Sequence, residues 1–263
     1  MTTGYVIMSP DSAGRLRTLA LSLGADYFGI ADLAPAREAI RAQGGERVAQ
    51  YPRSVVAGIR LQDSIVDLLP EKDRAGAILY RHAAYDVVNT ALDQIALRIA
   101  NLLQCEGYAT FPVPSSERTS DEKIAGPFSQ KLGAHMAGLG WIGKSCLLVT
   151  PDHGPRVRWV NVLTDAPLKP TGSPVKPRCG ECTDCVDICP VHAFTGRGFS
   201  PDEPREARFD AAACDRYYQQ LGKEFGVDGV CGMCLWACPH GRKRGNEQRL
   251  DPHENSLKKY PQW

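Results

Sequence analysis

A chain of 263 residues with 43% apolar and 23% charged side chains has ordinary globular composition, so neither disorder nor a low-complexity scaffold is expected. A formal net charge of +1 excludes a long-range field that gathers polyanions. No apolar run approaches the ~18–20 residues that span a bilayer, and the opening Met1-Thr2-Thr3-Gly4-Tyr5 has no basic or apolar targeting region. A soluble cytoplasmic protein without a membrane partner is expected.

In chain order, Asp11-Ser12 offers an N-cap to a helix with Leu16, Leu19, Ala20 and Leu23 at helical spacing, and Gly24 stops it. Residues 54–61 read as a short strand. A long helix is predicted over 83–104, with Val88, Leu92, Ile95, Ile99 and Leu102 on one stripe. Residues 108–113 read as a strand, 114–126 as a polar loop and 129–137 as a weak helix. Strands are predicted over 146–150 and 157–163, around a Pro/Gly turn at 151–155. Residues 168–178, with Pro170, Gly172, Pro174 and Pro177, form a boundary. The expected organisation is α+β, with one domain over 1–170, a cysteine-rich domain over 171–245 and a polar tail over 246–263.

Gly138-Leu139-Gly140-Trp141-Ile142-Gly143-Lys144-Ser145 satisfies both G-x-x-x-x-G-K-S and G-x-G-x-x-G. A phosphate-binding loop needs a strand before it and a helix after it, so that helix N-terminal amides face the phosphates. The predicted order is the reverse. The companion acidic strand, 160–165, is broken by Asn161 and Thr164. A nucleoside triphosphate site is therefore not expected. The glycines serve either a tight turn or close backbone approach to a large planar ligand.

Of ten cysteines, Cys105 and Cys146 stand alone and read as buried packing residues. The other eight lie between Cys179 and Cys238. Disulfides need an oxidising compartment, and paired zinc knuckles would leave several of these thiols unused. The first run, Cys179-x-x-Cys182-x-x-Cys185-x-x-x-Cys189-Pro190, is the bacterial ferredoxin pattern. Three cysteines at intervals of three reach one cubane; the fourth, before proline, points to the other cluster. The second run is Cys231-x-x-Cys234-x-x-x-Cys238-Pro239. Aligning the Cys-Pro pairs matches Cys238 with Cys189, Cys234 with Cys185 and Cys231 with Cys182, while Asp228 stands where Cys179 would fall. Cys214 alone lies nearby to complete the quartet. The expected ligand sets are Cys179, Cys182, Cys185 and Cys238 for one [4Fe–4S] cluster, and Cys189, Cys214, Cys231 and Cys234 for the other.

The ordered series 137–144, Gly154-Pro155-Arg156-Val157-Arg158, Thr164-Asp165-Ala166-Pro167-Leu168 and the cysteine run resembles the epoxyqueuosine reductases and the related reductive dehalogenases. Gly29-Ile30-Ala31 and Tyr51-Pro52-Arg53-Ser54-Val55 extend the likeness upstream, and Cys214 matches the family's isolated cluster ligand. The resemblance implies a nitroreductase-like N-terminal domain that binds cobalamin, followed by a ferredoxin-like domain that delivers electrons to the cobalt. It makes Gly138, Gly140, Trp141, Gly143, Lys144, Arg156 and Arg158 the candidates for residues near the corrin, with arginine suited to a propionamide or phosphate group.

Two departures from the family's pattern matter. No aspartate stands where epoxyqueuosine reductases carry their proton donor; Glu117, Asp121, Lys131 and His135 are the candidate substitutes. The helical-repeat extension associated with tRNA does not follow the second cysteine run. The resemblance therefore implies a short paralogue rather than epoxyqueuosine reductase itself: a cobalamin-dependent reductase of an organic molecule, with tRNA not expected as a partner. Its electron donor would be a ferredoxin or flavodoxin. The rivals are a reductase that re-activates a separate corrinoid protein and a ferredoxin-type relay without cobalamin.

Overall fold

The structure, a computed structural model, describes residues 12–226 and 229–242. Asp11, Asp228 and the expected polar tail lie outside the described residues. By contact the chain forms two compact units. The first takes the chain to Arg60, then Ala84–Trp141 and Arg158–Lys176; the second takes Leu61–Ala83, Ile142–Val157 and the chain from Pro177.

The described residues form six strands: β1 (Tyr27–Asp32), β2 (Arg53–Arg60), β3 (Thr110–Val113), β4 (Trp141–Ile142), β5 (Leu148–Val149) and β6 (Val157–Thr164). The first unit is built on a four-stranded sheet in the order β1-β2-β6-β3. β1 and β2 run antiparallel, with Ile30 opposite Val55, and β3 runs antiparallel to β6, with Phe111 opposite Leu163. Nearly unbroken burial along β2 and β6 means that both faces of the central strands are covered. Helices α1 (Ser12–Ser22), α2 (Val88–Cys105) and α3 (Gln130–Met136) pack on this sheet.

Gly24 ends α1 as expected, at φ +97°, with its amide on the Leu21 carbonyl. The long predicted helix begins with a π-helical segment, His82–Val87, before α2 takes over. The α2 stripe then buries Leu92, Ile95, Ile99 and Leu103, one residue on from the expected Leu102. Ser129 caps α3, accepting from the Leu132 amide.

The two residues that interrupt the acidic-strand pattern are buried parts of β6. Asn161 accepts from Ser54 Oγ (2.8 Å) and donates to Gln130 Oε1 (2.7 Å), tying β2, β6 and α3 together. Thr164 Oγ donates to the Ala109 carbonyl (2.8 Å). The proline-rich stretch around Thr171 lies along β1: Thr171 N donates to the Ile30 carbonyl, and the Ile30 amide donates to Thr171 Oγ.

The second unit gathers short elements around the cysteines: helices α4 (Asp184–Asp187), α5 (Ala211–Phe225) and α6 (Met233–Ala237), with the segments around Asp63 and Gly143. Arg156 joins residues 61–83 to 142–157. Its guanidinium, 3% exposed, meets Asp63 at 3.1 Å and Asp67 at 2.7 Å, while the Leu61 amide donates to its carbonyl. Gly154, at φ +56°, lets residues 240–241 pass, since a Cβ there would sit 2.3 Å from the Gly241 nitrogen.

The crowding at Gly133 makes a test of this packing. A Cβ there would lie 1.8 Å from Asn161 Oδ1. Gly133→Ala is expected to lower stability by about 1–3 kcal/mol through overpacking, read as a drop in thermal midpoint. At an open helical site the same change would instead stabilise by about 0.5–1 kcal/mol.

Candidate metal centre

Local structure brings the first four cysteines together. The Cys182 amide donates to the Cys179 carbonyl (3.0 Å), which curls the chain so that both thiols face one side of the loop; Cys185 follows on α4. Cys238 ends α6 in an extended conformation, and Pro239 turns the chain away. The thiols of Cys179, Cys182 and Cys238 all act electrostatically on Cys185. Cys179 and Cys182 likewise act on Cys238.

The second set converges from more distant segments. Phe194 and Phe209 stack at 5.2 Å, and the Asp210 amide donates to the Ala193 carbonyl, so the chain after Cys189 returns to where α5 begins. Asp210 caps α5 by accepting from the Ala213 amide (2.8 Å), and its first turn carries Cys214 toward Cys189. Gly232, at φ +67°, turns the chain between Cys231 and Cys234; its missing Cβ leaves room for the Leu69 side chain. Cys231, Cys214 and Cys189 act on the Cys234 thiol, in that order, followed by Cys185 from the first set.

Cys185 thus has Cys238, Cys179 and Cys182 as electrostatic neighbours, and Cys234 has Cys231, Cys214, Cys189 and then Cys185. Among the described residues, no three His, Cys, Asp or Glu side chains converge as closely as the ligands of one metal ion. A cubane asks for less convergence, because its four thiolates bind four different irons. Burial is the main force on these thiols. It pushes Cys185 and Cys231 up to about 12 and Cys238 to about 11, and holds Cys234 well above the usual thiol range. A metal binding these four buried thiols displaces their protons. Burial also pushes the Tyr217 phenol up to about 12, with Cys231 adding to it. Tyr217, Lys72, Leu69, Phe225 and Met233 line an open pocket of about 410 Å³ that reaches Cys231.

The glycine loop follows helix α3 and leads into β4 and β5, with no helix after it. Lys144 Nζ donates to the Gly180 carbonyl (2.8 Å) and the Cys182 carbonyl (3.1 Å), inside the first cysteine run. A Cβ on Gly143 would stand 3.4 Å from Cys179 Sγ and 3.0 Å from Val149. Gly138, at φ +78°, makes room for the backbone of Gly172 and Ser173. Apart from Val149, these partners lie more than thirty residues away, so spacing alone could not reveal them.

The residues suggested for the corrin divide between the units. Gly138, Gly140, Trp141 and Arg158 belong to the first; Gly143, Lys144 and Arg156 belong to the second. Trp141 is fully buried. Arg158 Nε donates to Asn89 Oδ1 (2.6 Å), and its guanidinium lies 4.1 Å over the Tyr85 ring. Arg156 is held by its two aspartates. Both terminal nitrogens of Arg156 are thus taken up within the chain, whereas Arg158 is held at Nε.

Of the proton-donor candidates, Glu117 and Asp121 are exposed on the polar loop, and Lys131 is half-buried on α3. His135, one turn on, is 6% exposed, with Nδ1 3.0 Å from the Gly140 carbonyl; burial lowers its pKa. Cys146 is buried, as expected, at φ +54° with its sulfur 3.9 Å from Arg208 Nη1. Cys105 is exposed, contrary to expectation: α2 buries Leu103 in its last turn and leaves Cys105 toward solvent.

A model of the 4Fe-4S double cluster binding domain matches residues 178–241. Over 171 residues the chain is 28% identical to the epoxyqueuosine reductase of Bacillus anthracis, covering 60% of this chain and 41% of that one. Over 151 residues it is 35% identical to that of Bacillus subtilis (strain 168), covering 51% and 34%. A catabolic reductive dehalogenase shares the fold, with TM-score 0.66 and 21% identity over 91% of this chain and 33% of that one. An epoxyqueuosine reductase structure aligns with TM-score 0.55 and 21% identity over 87% and 65%. The chain matches less than half the length of these two curated relatives.

Two measurements check the site. Cys214→Ser is expected to lower iron content by about four per chain and spare the other cluster, whereas Cys105→Ser leaves iron unchanged. His135 is neutral in the fold, while the unfolded chain takes up a proton below about pH 6.5, so its contribution is present above that pH and lost as pH falls below it. The thermal midpoint of His135→Gln should accordingly fall less between pH 7.5 and 5.5 than that of the wild type.

Proposed function

We propose, for a chain that belongs to the superfamily of epoxyqueuosine reductases and reductive dehalogenases, that it is an iron–sulfur oxidoreductase passing electrons through two clusters to a bound acceptor. The observation that carries this reading is the match of residues 178–241 to the 4Fe-4S double cluster binding domain, with Cys214 and Cys234 packed beside Cys189. Two [4Fe–4S] clusters held there supply one-electron carriers.

The chain's own side chains set the direction of flow. Cys182 is the less deeply buried, so the first set is the port for a small donor such as a ferredoxin or flavodoxin. The second set includes Cys189, which is buried. Cys185 and Cys234 join the two. The first unit, a four-stranded sheet clad in helices, is read as the nitroreductase-like domain that the resemblance implies.

Cobalamin is the acceptor that the relatives suggest: one reductive dehalogenase structure is described in terms of B12-dependent dehalogenation. Reduction of a small organic molecule is then the overall reaction, with the cofactor supplying the hard chemistry. Because Arg156 and Arg158 are engaged within the chain, no step is assigned through the corrin. The lack of the family's proton-donor aspartate favours, as a second reading, a reductase that re-activates a separate corrinoid protein. A relay without cobalamin is the simpler form of the same device. Among the described residues no helix is long and apolar enough to cross a membrane, and a cytoplasmic site of action is proposed.

The test is anaerobic reconstitution, iron and sulfide counting, and titration with cobalamin followed by absorbance and cobalt(II) EPR. About eight irons per chain with tight, base-off cobalamin binding is the expected result. About eight irons without cobalamin binding removes the corrinoid reading and leaves an electron-transfer protein. A chain that takes up no iron removes both.

A further inference from the structure

Lys144 is the lysine of a pattern that, in another context, would meet a phosphate. Here its ammonium is held by two carbonyls of the first cysteine run, those of Gly180 and Cys182. The residue before it places backbone against Cys179: a side chain on Gly143 would touch that sulfur. Gly180 adopts φ +49°, a left-handed conformation that helps aim its carbonyl at the lysine. Lys144 is half-buried, so water screens its charge less than at an open surface.

We propose that Lys144 sets the reduction potential of the cluster held by Cys179, Cys182, Cys185 and Cys238, by fixing a positive charge against the loop that carries three of its ligands. The inference rests on the iron–sulfur reading above. The step it governs is the transfer of one electron from a low-potential donor of the ferredoxin or flavodoxin class. The donor is oxidised, the cluster is reduced, and no bond or proton is exchanged with Lys144. Reduction adds negative charge to an already anionic group, so a fixed cation favours the reduced state more than the oxidised one. The second set has a different partner, Lys72, which acts electrostatically on Cys231. The contacts of Lys144 fall on the first run alone, on the Gly180 and Cys182 carbonyls. Lys144 is a positioning residue: it touches the loop and takes no part in bond-making.

The test uses the full reconstituted chain as wild type, Lys144→Gln and Lys144→Arg, with iron counting and mediated redox titration followed by EPR. The signal missing from Cys214→Ser identifies the second cluster. In Lys144→Gln the first cluster's reduction equilibrium is expected to fall about tenfold, a midpoint lower by about 59 mV for one electron. The second cluster should not move, and Lys144→Arg, which keeps the charge, should restore most of the shift. Three outcomes overturn the proposal: no shift in Lys144→Gln, equal shifts of both clusters, or loss of about four irons, which would make Lys144 a loop anchor only. A wild-type chain without about eight irons would instead overturn the iron–sulfur reading on which the proposal stands.

Discussion

Each of the two cysteine runs hands its last thiol to the other. Cys189, at the end of the first run, joins Cys214, Cys231 and Cys234, while Cys238, at the end of the second, joins Cys179, Cys182 and Cys185. A proline after each of these two cysteines turns the chain away once the thiol is placed. Neither set can be completed by a contiguous segment, so each run needs the other to finish its set. Its short helices, four and five residues long at α4 and α6, could not persist alone. They are held by what converges on them, and metal loading becomes part of folding.

Much of this was legible in the sequence because cysteine spacing is a local signal. Intervals of three and four residues, with proline following, mark the double-cluster domain directly, and Cys214, which the repeat singles out, packs beside Cys189. Regular elements were legible for a similar reason: a stripe such as Leu92, Ile95 and Ile99 repeats within one helix. What stayed hidden depends on partners far along the chain. Nothing near Arg156 in sequence announces Asp63 and Asp67, some ninety residues earlier. Cys105 looked like a core residue because cysteine usually is one, yet it falls on the wrong side of the last turn of α2. The π-helical segment before that helix also escaped periodicity, since one wider turn shifts the stripe by a residue without breaking it.

The glycine loop shows how little a short pattern means without its flanks. The same letters that cradle phosphate after a strand and before a helix here follow a helix and enter a hairpin. Gly138 makes room for Gly172 and Ser173, Gly143 for Val149 and the Cys179 sulfur, and Lys144 bonds two carbonyls. Asn161 and Thr164, which spoil the acidic-strand pattern, are polar because the sheet needs them so: each satisfies a buried partner that an apolar residue would leave open.

The stack of Phe194 on Phe209 has a consequence for how this architecture can diversify. With the bridge between those two residues and the Asp210 to Ala193 hydrogen bond, it fastens both ends of the excursion that separates Cys189 from Cys214. Cluster geometry is thereby insulated from whatever lies between. Lengthening a closed loop is cheap, about 0.6 kcal/mol per doubling, so residues 196–206 form a natural port where a lineage can splice in new sequence without touching a ligand.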